Sequence, residues 1–235
     1  MSKKIFILSF LIFTNLFTHA NQESFLQANA LHQEKKYKKA LKSYDLIEKK
    51  GPATWYNMGN SAFKTGDYPR AILYWRRAQK NSSYKTIKNS EHNISIAYKK
   101  LGYEKDKSTL GFLNKHVSVI PLFVLQILFL FFWIAFFVSL FYLKKLRKFV
   151  LLIVLVINFL LATLSITKYR SIIYQRGVVM QKDTNLFVGP DKNYHKITSL
   201  GVADEFKVLK KYKKWYKIKY NKFTGWVLAD KVEII

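Results

Sequence analysis

The sequence contains no cysteine, which excludes disulfides, thiolate zinc sites and cysteine-nucleophile chemistry. Arginine is also scarce: six of the 40 basic residues are Arg and the other 34 are Lys. Arginine is the side chain that reads and stacks on bases, so a net charge of +26 carried by lysine argues against a nucleic-acid partner. It fits a solvated lysine-rich surface, one attracted to anionic lipid headgroups or acidic wall polymers. The five histidines (His19, His32, His92, His116 and His195) are scattered, and no two have metal-ligand spacing. No Gly-rich loop opens a helix and no Ser–His–Asp arrangement is present. The chain therefore reads as a non-enzyme, with no catalytic residue, metal or cofactor expected.

What is present falls into blocks. Lys3 and Lys4 precede the apolar run Ile5–Phe17, and Thr18 and Ala20 place small residues before Asn21. That is the pattern of a secretory signal peptide over 1–20, so the chain that follows is expected to be exported. Ile120–Leu143 carries no charge and, at about 1.5 Å per residue, is long enough to cross a bilayer. Phe149–Thr167 is shorter and equally uncharged. Between them, 144–148 reads KKLRK, a basic loop that the positive-inside rule assigns to the cytoplasm. The expected topology is a multi-pass protein of the bacterial inner (cytoplasmic) membrane with both soluble parts extracytoplasmic. Gln126 and Asn158 lie at similar depth in the two spans, where an amide hydrogen bond would join the helices.

Residues 21–103 have helical periodicity with a repeat inside it. In WYNMGNSAFKTGDYPRAILYWRRA, Trp55–Ala78, large and small residues alternate at helical spacing, broken at Gly66 and Asp67. Gly59, Ala62 and Ala71 leave room for Trp55, Tyr68 and Trp75. A weaker copy places Tyr37 and Ala40 each 31 residues before Tyr68 and Ala71. A last helix ending at Gly102 is expected to cap the array. This block resembles the tetratricopeptide repeat. The resemblance implies peptide binding on the concave face, with Asn29, Asn57, Asn60 and Asn93 projecting there and Lys64, Lys99 and Lys100 adding positive charge. One position that is Lys in carboxylate clamps of this family is Phe25 here. Asn57 and Asn93 have a second reading, as bridges between adjacent helices.

Residues 177–235 change to short β-branched and aromatic runs with turn signals. Their length suits a five- or six-strand barrel. Asn185, Gly189-Pro190, Trp215, Ile218 and the closing Gly225-Trp226-Val227 resemble a bacterial SH3 domain. That resemblance implies a shallow aromatic groove, for which Phe187, Tyr194 and Trp215 are the candidates, each equally suited to the barrel core; Trp226 is assigned to the core. Phe187 stands where the family commonly has Arg, and the family's glycine before the middle strand is absent or displaced to Gly201.

The predicted fold is thus an α+β membrane protein: signal peptide 1–20, tetratricopeptide-repeat α-hairpins 21–103, linker 104–119, transmembrane helices 120–143 and 149–167 around the loop 144–148, linker 168–176, and an SH3-like β-barrel 177–235. This order resembles the repeat-containing member of the bacterial aerotolerance (Bat) operon family. The resemblance implies a membrane scaffold with von Willebrand A-domain membrane protein partners, serving envelope or oxidative-stress tolerance. The alternative is an anchor whose SH3-like domain grips peptidoglycan or a wall peptide while the repeats recruit a wall enzyme.

Overall fold

The structure is a computed structural model that describes residues 22–80, 82–103, 120–142 and 147–235. The expected signal peptide, the linker 104–119 and most of the basic loop lie outside the described residues. The described residues divide into two compact units, one made of 22–80, 82–103 and 176–235, the other of 120–142 and 147–175.

The first unit opens with α1 (22–33), α2 (Tyr37–Asp45), α3 (Pro52–Lys64), α4 (Tyr68–Ala78) and α5 (Tyr84–Lys100). Pro52 starts α3, where its missing N–H costs no hydrogen bond. Gly66, at φ +82°, turns the chain out of α3, and Asp67 caps α4 by accepting from the Arg70 N–H at 3.1 Å. Ser83 caps α5 in the same way. Small residues decide how closely α3 and α4 approach. A Cβ at Gly59 would lie 2.5 Å from the Trp75 indole, and Ala62 and Ala71 are fully buried beside it. Tyr44, Met58, Ile72 and Ile94 complete this core.

The C-terminal segment supplies β1 (Arg176–Val179), β2 (Thr184–Phe187), β3 (Lys196–Leu200), β4 (Glu205–Tyr212), β5 (Trp215–Tyr220), β6 (Phe223–Leu228) and β7 (Val232–Ile234). They pair antiparallel in the order β3-β2-β6-β5-β4-β1-β7. Instead of the expected closed barrel of five or six strands, the described residues form an open seven-stranded sheet. Bulges at Leu186/Phe187 and Val208/Lys210 bend it. The edge strand β7 and the residue after it are completed by side chains of α4 and its C-terminal turn: Arg77 donates to the Ile234 carbonyl at 2.6 Å and Lys80 to that of Ile235 at 2.8 Å. Val179, Leu186, Phe206, Ile218 and Val227 form the sheet's own core.

The second unit is a pair of helices, α6 (Leu122–Tyr142) and α7 (Arg147–Ile173), packed on one another. Both are long and apolar enough to cross a membrane. Leu125, Ser139, Val154 and Asn158 are buried between them, while Phe131, Ile134 and Phe159 are exposed, an apolar exterior suited to lipid. Helix α7 outruns the expected 149–167 at both ends. No glycine or proline interrupts 147–173, so the helix continues until Tyr174 and Gln175, and the expected linker 168–176 shrinks to those two residues. The expected Gln126–Asn158 bond is not formed. Asn158 donates back to the Val154 carbonyl of its own helix at 3.1 Å, its Oδ1 has no protein partner, and Gln126 is exposed.

Candidate functional site

Helices α3 and α5, which the expected repeat pattern makes the first helices of successive units, are bridged by the Asn60–Asn93 bond. Their N-terminal ends bound an open groove of about 480 Å³, lined by Tyr56, Asn57, Ser83, Lys85, Thr86 and Asn89 among others. Its exposed lining is more apolar than polar, with Pro52, Ala53 and the Tyr56 ring beside the amide, hydroxyl and ammonium groups.

The four sequence-selected asparagines come together in two bridged pairs. Asn57 Nδ2 donates to Asn29 Oδ1 at 2.9 Å, and the Tyr44 hydroxyl donates to the same oxygen at 2.6 Å. One turn along α3, Asn60 Oδ1 accepts from Trp75 Nε1 at 3.1 Å and from Asn93 Nδ2 at 3.3 Å, and Asn93 also donates to the Tyr56 hydroxyl at 3.1 Å. These bonds join α1 to α3 and α3 to α5, as the bridging alternative requires, and only Asn57 also lines the groove. Lys64 and Lys99 are exposed and lie outside its lining. Lys64 acts on His32, whose pKa is lowered by burial and then by the Lys64 charge; His32 Nδ1 lies 2.8 Å from Ser61 Oγ.

A second polar cluster was not legible as a site in the sequence. Arg76 of α4 donates through Nε to Glu205 Oε2 at 2.9 Å and through Nη2 to Oε1 at 2.7 Å, a bidentate pair, and Nη1 bonds Glu91 of α5. Burial opposes the Arg76 charge, but Glu205 and Glu91 overcome it and raise its pKa. The Tyr98 hydroxyl lies 3.0 Å from Glu205 Oε1 and 3.1 Å from the Ala203 carbonyl; burial, with Glu205 beside it, pushes the phenol well above its usual range. Val178 and Ala203 of the C-terminal segment are fully buried in the core of the repeats. The last helix therefore does not end the array as a solvated cap, because the 203–205 segment covers part of it. Two adjacent arginines, in a chain with six, were the available signal.

In the sheet, Phe187 and Trp215 meet edge to face at 5.8 Å, while Tyr194 is exposed and seated over Gly189. The structure thus joins two of the three groove candidates. Trp226, expected in the core, is half-buried and paired with Tyr212 at 6.2 Å, because Gly225 and Val227 take the inward positions of β6. Trp215 is the more buried indole, 9% exposed.

Residues 52–82 match the tetratricopeptide repeat family, and residues 182–233 match the bacterial SH3 domain family. Modules of these two kinds serve protein–protein interaction or cell-wall binding. No curated protein matches the chain significantly.

Proposed function

We propose that this protein is a non-enzymatic, membrane-anchored scaffold whose repeats hold a segment of a partner protein in the α3–α5 groove. The observation that carries this reading is the groove itself, open between α3 and α5, with a largely apolar lining in which Asn57, Ser83, Asn89 and Lys85 set donors and acceptors. An extended peptide offers both backbone groups and carboxylates to such a surface. Both flanks of the helix pair α6–α7 belong to one folded unit, which supports a hairpin that leaves and re-enters on the same side of the membrane. The repeats, hairpin and SH3 match agree with an extracytoplasmic body anchored in the inner membrane, and with a place in an envelope or oxidative-stress complex containing von Willebrand A-domain membrane proteins.

The match over 182–233 favours a second reading, in which the sheet binds peptidoglycan and the repeats recruit a wall enzyme. Crosslinking and co-purification of the detergent-solubilised chain, beside a Lys85→Glu/Asn89→Ala variant, separates the two. Both residues are exposed on the groove rim, and neither bridges helices. Membrane A-domain proteins recovered with the parent and lost with the variant support the scaffold. Wall fragments recovered equally with both support the anchor.

A further inference from the structure

The strands β4, β5 and β6 carry a charge pattern that the α3–α5 groove does not use. Residues 206–229 contain eight lysines and no Asp or Glu. In β5, Tyr216, Ile218 and Tyr220 face the sheet's core, which turns Lys217 and Lys219 to the opposite face. There the register sets Lys210 directly across from Lys217 and Lys207 across from Lys219. Like charges in directly opposed positions repel and weaken a strand pair, so at Lys210 and Lys217 the fold tolerates a repulsion that a bound anion would relieve. Aromatic rings share this face. Lys217 is also paired across from Trp226, its Nζ lies 6.0 Å from that ring, and Trp226 meets Tyr212, itself 45% exposed. Leu209 stands exposed at the bulge beside Lys210.

Lysines interleaved with Trp and Tyr form the surface chemistry of a lipid interface: the ammonium groups meet phosphates, and the amphipathic rings sit at headgroup depth. Chain length favours that occupant. Only Tyr174 and Gln175 separate the end of α7 from β1, three steps of chain from Ile173 to Arg176 that span at most about 11 Å at roughly 3.3–3.6 Å per residue. A domain so tethered to a spanning helix stays within reach of the headgroup layer. We infer that the outer face of β4, β5 and β6 docks on the phosphate headgroups of anionic phospholipids. The inference rests on α6 and α7 spanning the membrane.

Because the chain has no cysteine, Thr224→Cys gives one labelling site on this face, directly across from Lys219. The labelled full chain is placed in nanodiscs of phosphatidylcholine, alone or mixed with phosphatidylglycerol, each containing a headgroup-attached quencher lipid. Docking appears as quenching that requires phosphatidylglycerol and is released by salt. Each Lys→Gln change at Lys210, Lys217 or Lys219 is expected to lower the docked-to-undocked ratio about fivefold. The corresponding Lys→Arg changes should preserve docking, which separates charge from folding. Equal quenching in both discs, or quenching unchanged in the triple Gln variant, overturns the inference. Protection of the label by purified anionic wall polymer, with no quenching in either disc, overturns it in favour of the wall. A chain that stays out of the discs overturns the membrane reading together with the inference, whereas one that inserts without anionic-lipid dependence overturns the inference alone.

Discussion

A methyl group added at Gly59 would lie 2.5 Å from Cδ1 and Nε1 of Trp75, a ring only 2% exposed and held by its bond to Asn60. The indole has little room to retreat, so α3 and α4 must separate. Gly59→Ala is expected to destabilise the first unit by about 1–3 kcal/mol, read as a lower melting temperature in detergent. Asn60→Ala acts differently, leaving the Trp75 N–H without its acceptor at a cost of about 1–3 kcal/mol. Loss of partner binding in that variant would report on folding, and the melting curve shows which. Gly59 and Trp75 were legible in the sequence because their spacing is set inside one helical pair. The bridging of Asn60 to Asn93 was open there, since spacing places both residues on one surface but does not show what they touch.

Elements were legible where a local signal bounds them. The Gly66 turn, the Asp67 cap and the stop at Gly102 are short-range effects, and α3, α4 and α5 follow them. The uncharged run 149–167 is shorter than helix α7 because charge at Lys168 and Arg170 ends the apolar run, whereas a helix ends only where its backbone is stopped. The open sheet was not legible because its edge strand is completed by Arg77 and Lys80, far away in sequence. The junction of α1 with α3 has a pH signature. His32, beside Ser61, Tyr37 and Lys64, has a folded pKa below the ordinary 6.5. The unfolded chain therefore takes up the proton first on acidification. The stabilisation from neutral His32 is full above about pH 6.5 and is lost as pH falls through the folded pKa. The melting temperature should drop between pH 7 and 5.5, and His32→Gln should flatten that part of the profile. A profile unchanged by the substitution would assign the drop to other groups.

At the scale of the whole molecule, the joint between repeats and sheet has the Arg76 guanidinium at its charged centre, beside the Arg77, Lys80 and Tyr98 bonds and the buried Val178 and Ala203. Arg76, with a side chain 12% exposed, neutralises Glu205 at 21% and Glu91 at 34%. Removing the cation leaves two half-buried carboxylates facing each other, so Arg76→Ala should cost about 3 kcal/mol, the low end for a broken buried pair because Glu91 is partly solvated. The repeats and the sheet should then melt in two steps in place of one, whereas Glu205→Gln, which keeps a hydrogen-bond acceptor, should weaken the joint less. The joint also constrains topology. On the proposed reading, in which α6 and α7 cross the membrane, residues 22–103 and 176–235 fold as one unit only when both lie on the same side of it, which requires an even number of crossings between them. Single cysteines at His92 and Asn193, both exposed, should therefore react alike with a membrane-impermeant maleimide in intact cells with a permeable outer layer, while one at Lys145 should react only after the membrane is opened. Labelling at one of the two exposed sites alone would mean that the repeats and the sheet are parted by the membrane. The Arg76–Glu205 joint could not then form in the cell, and Arg76→Ala would leave melting unchanged.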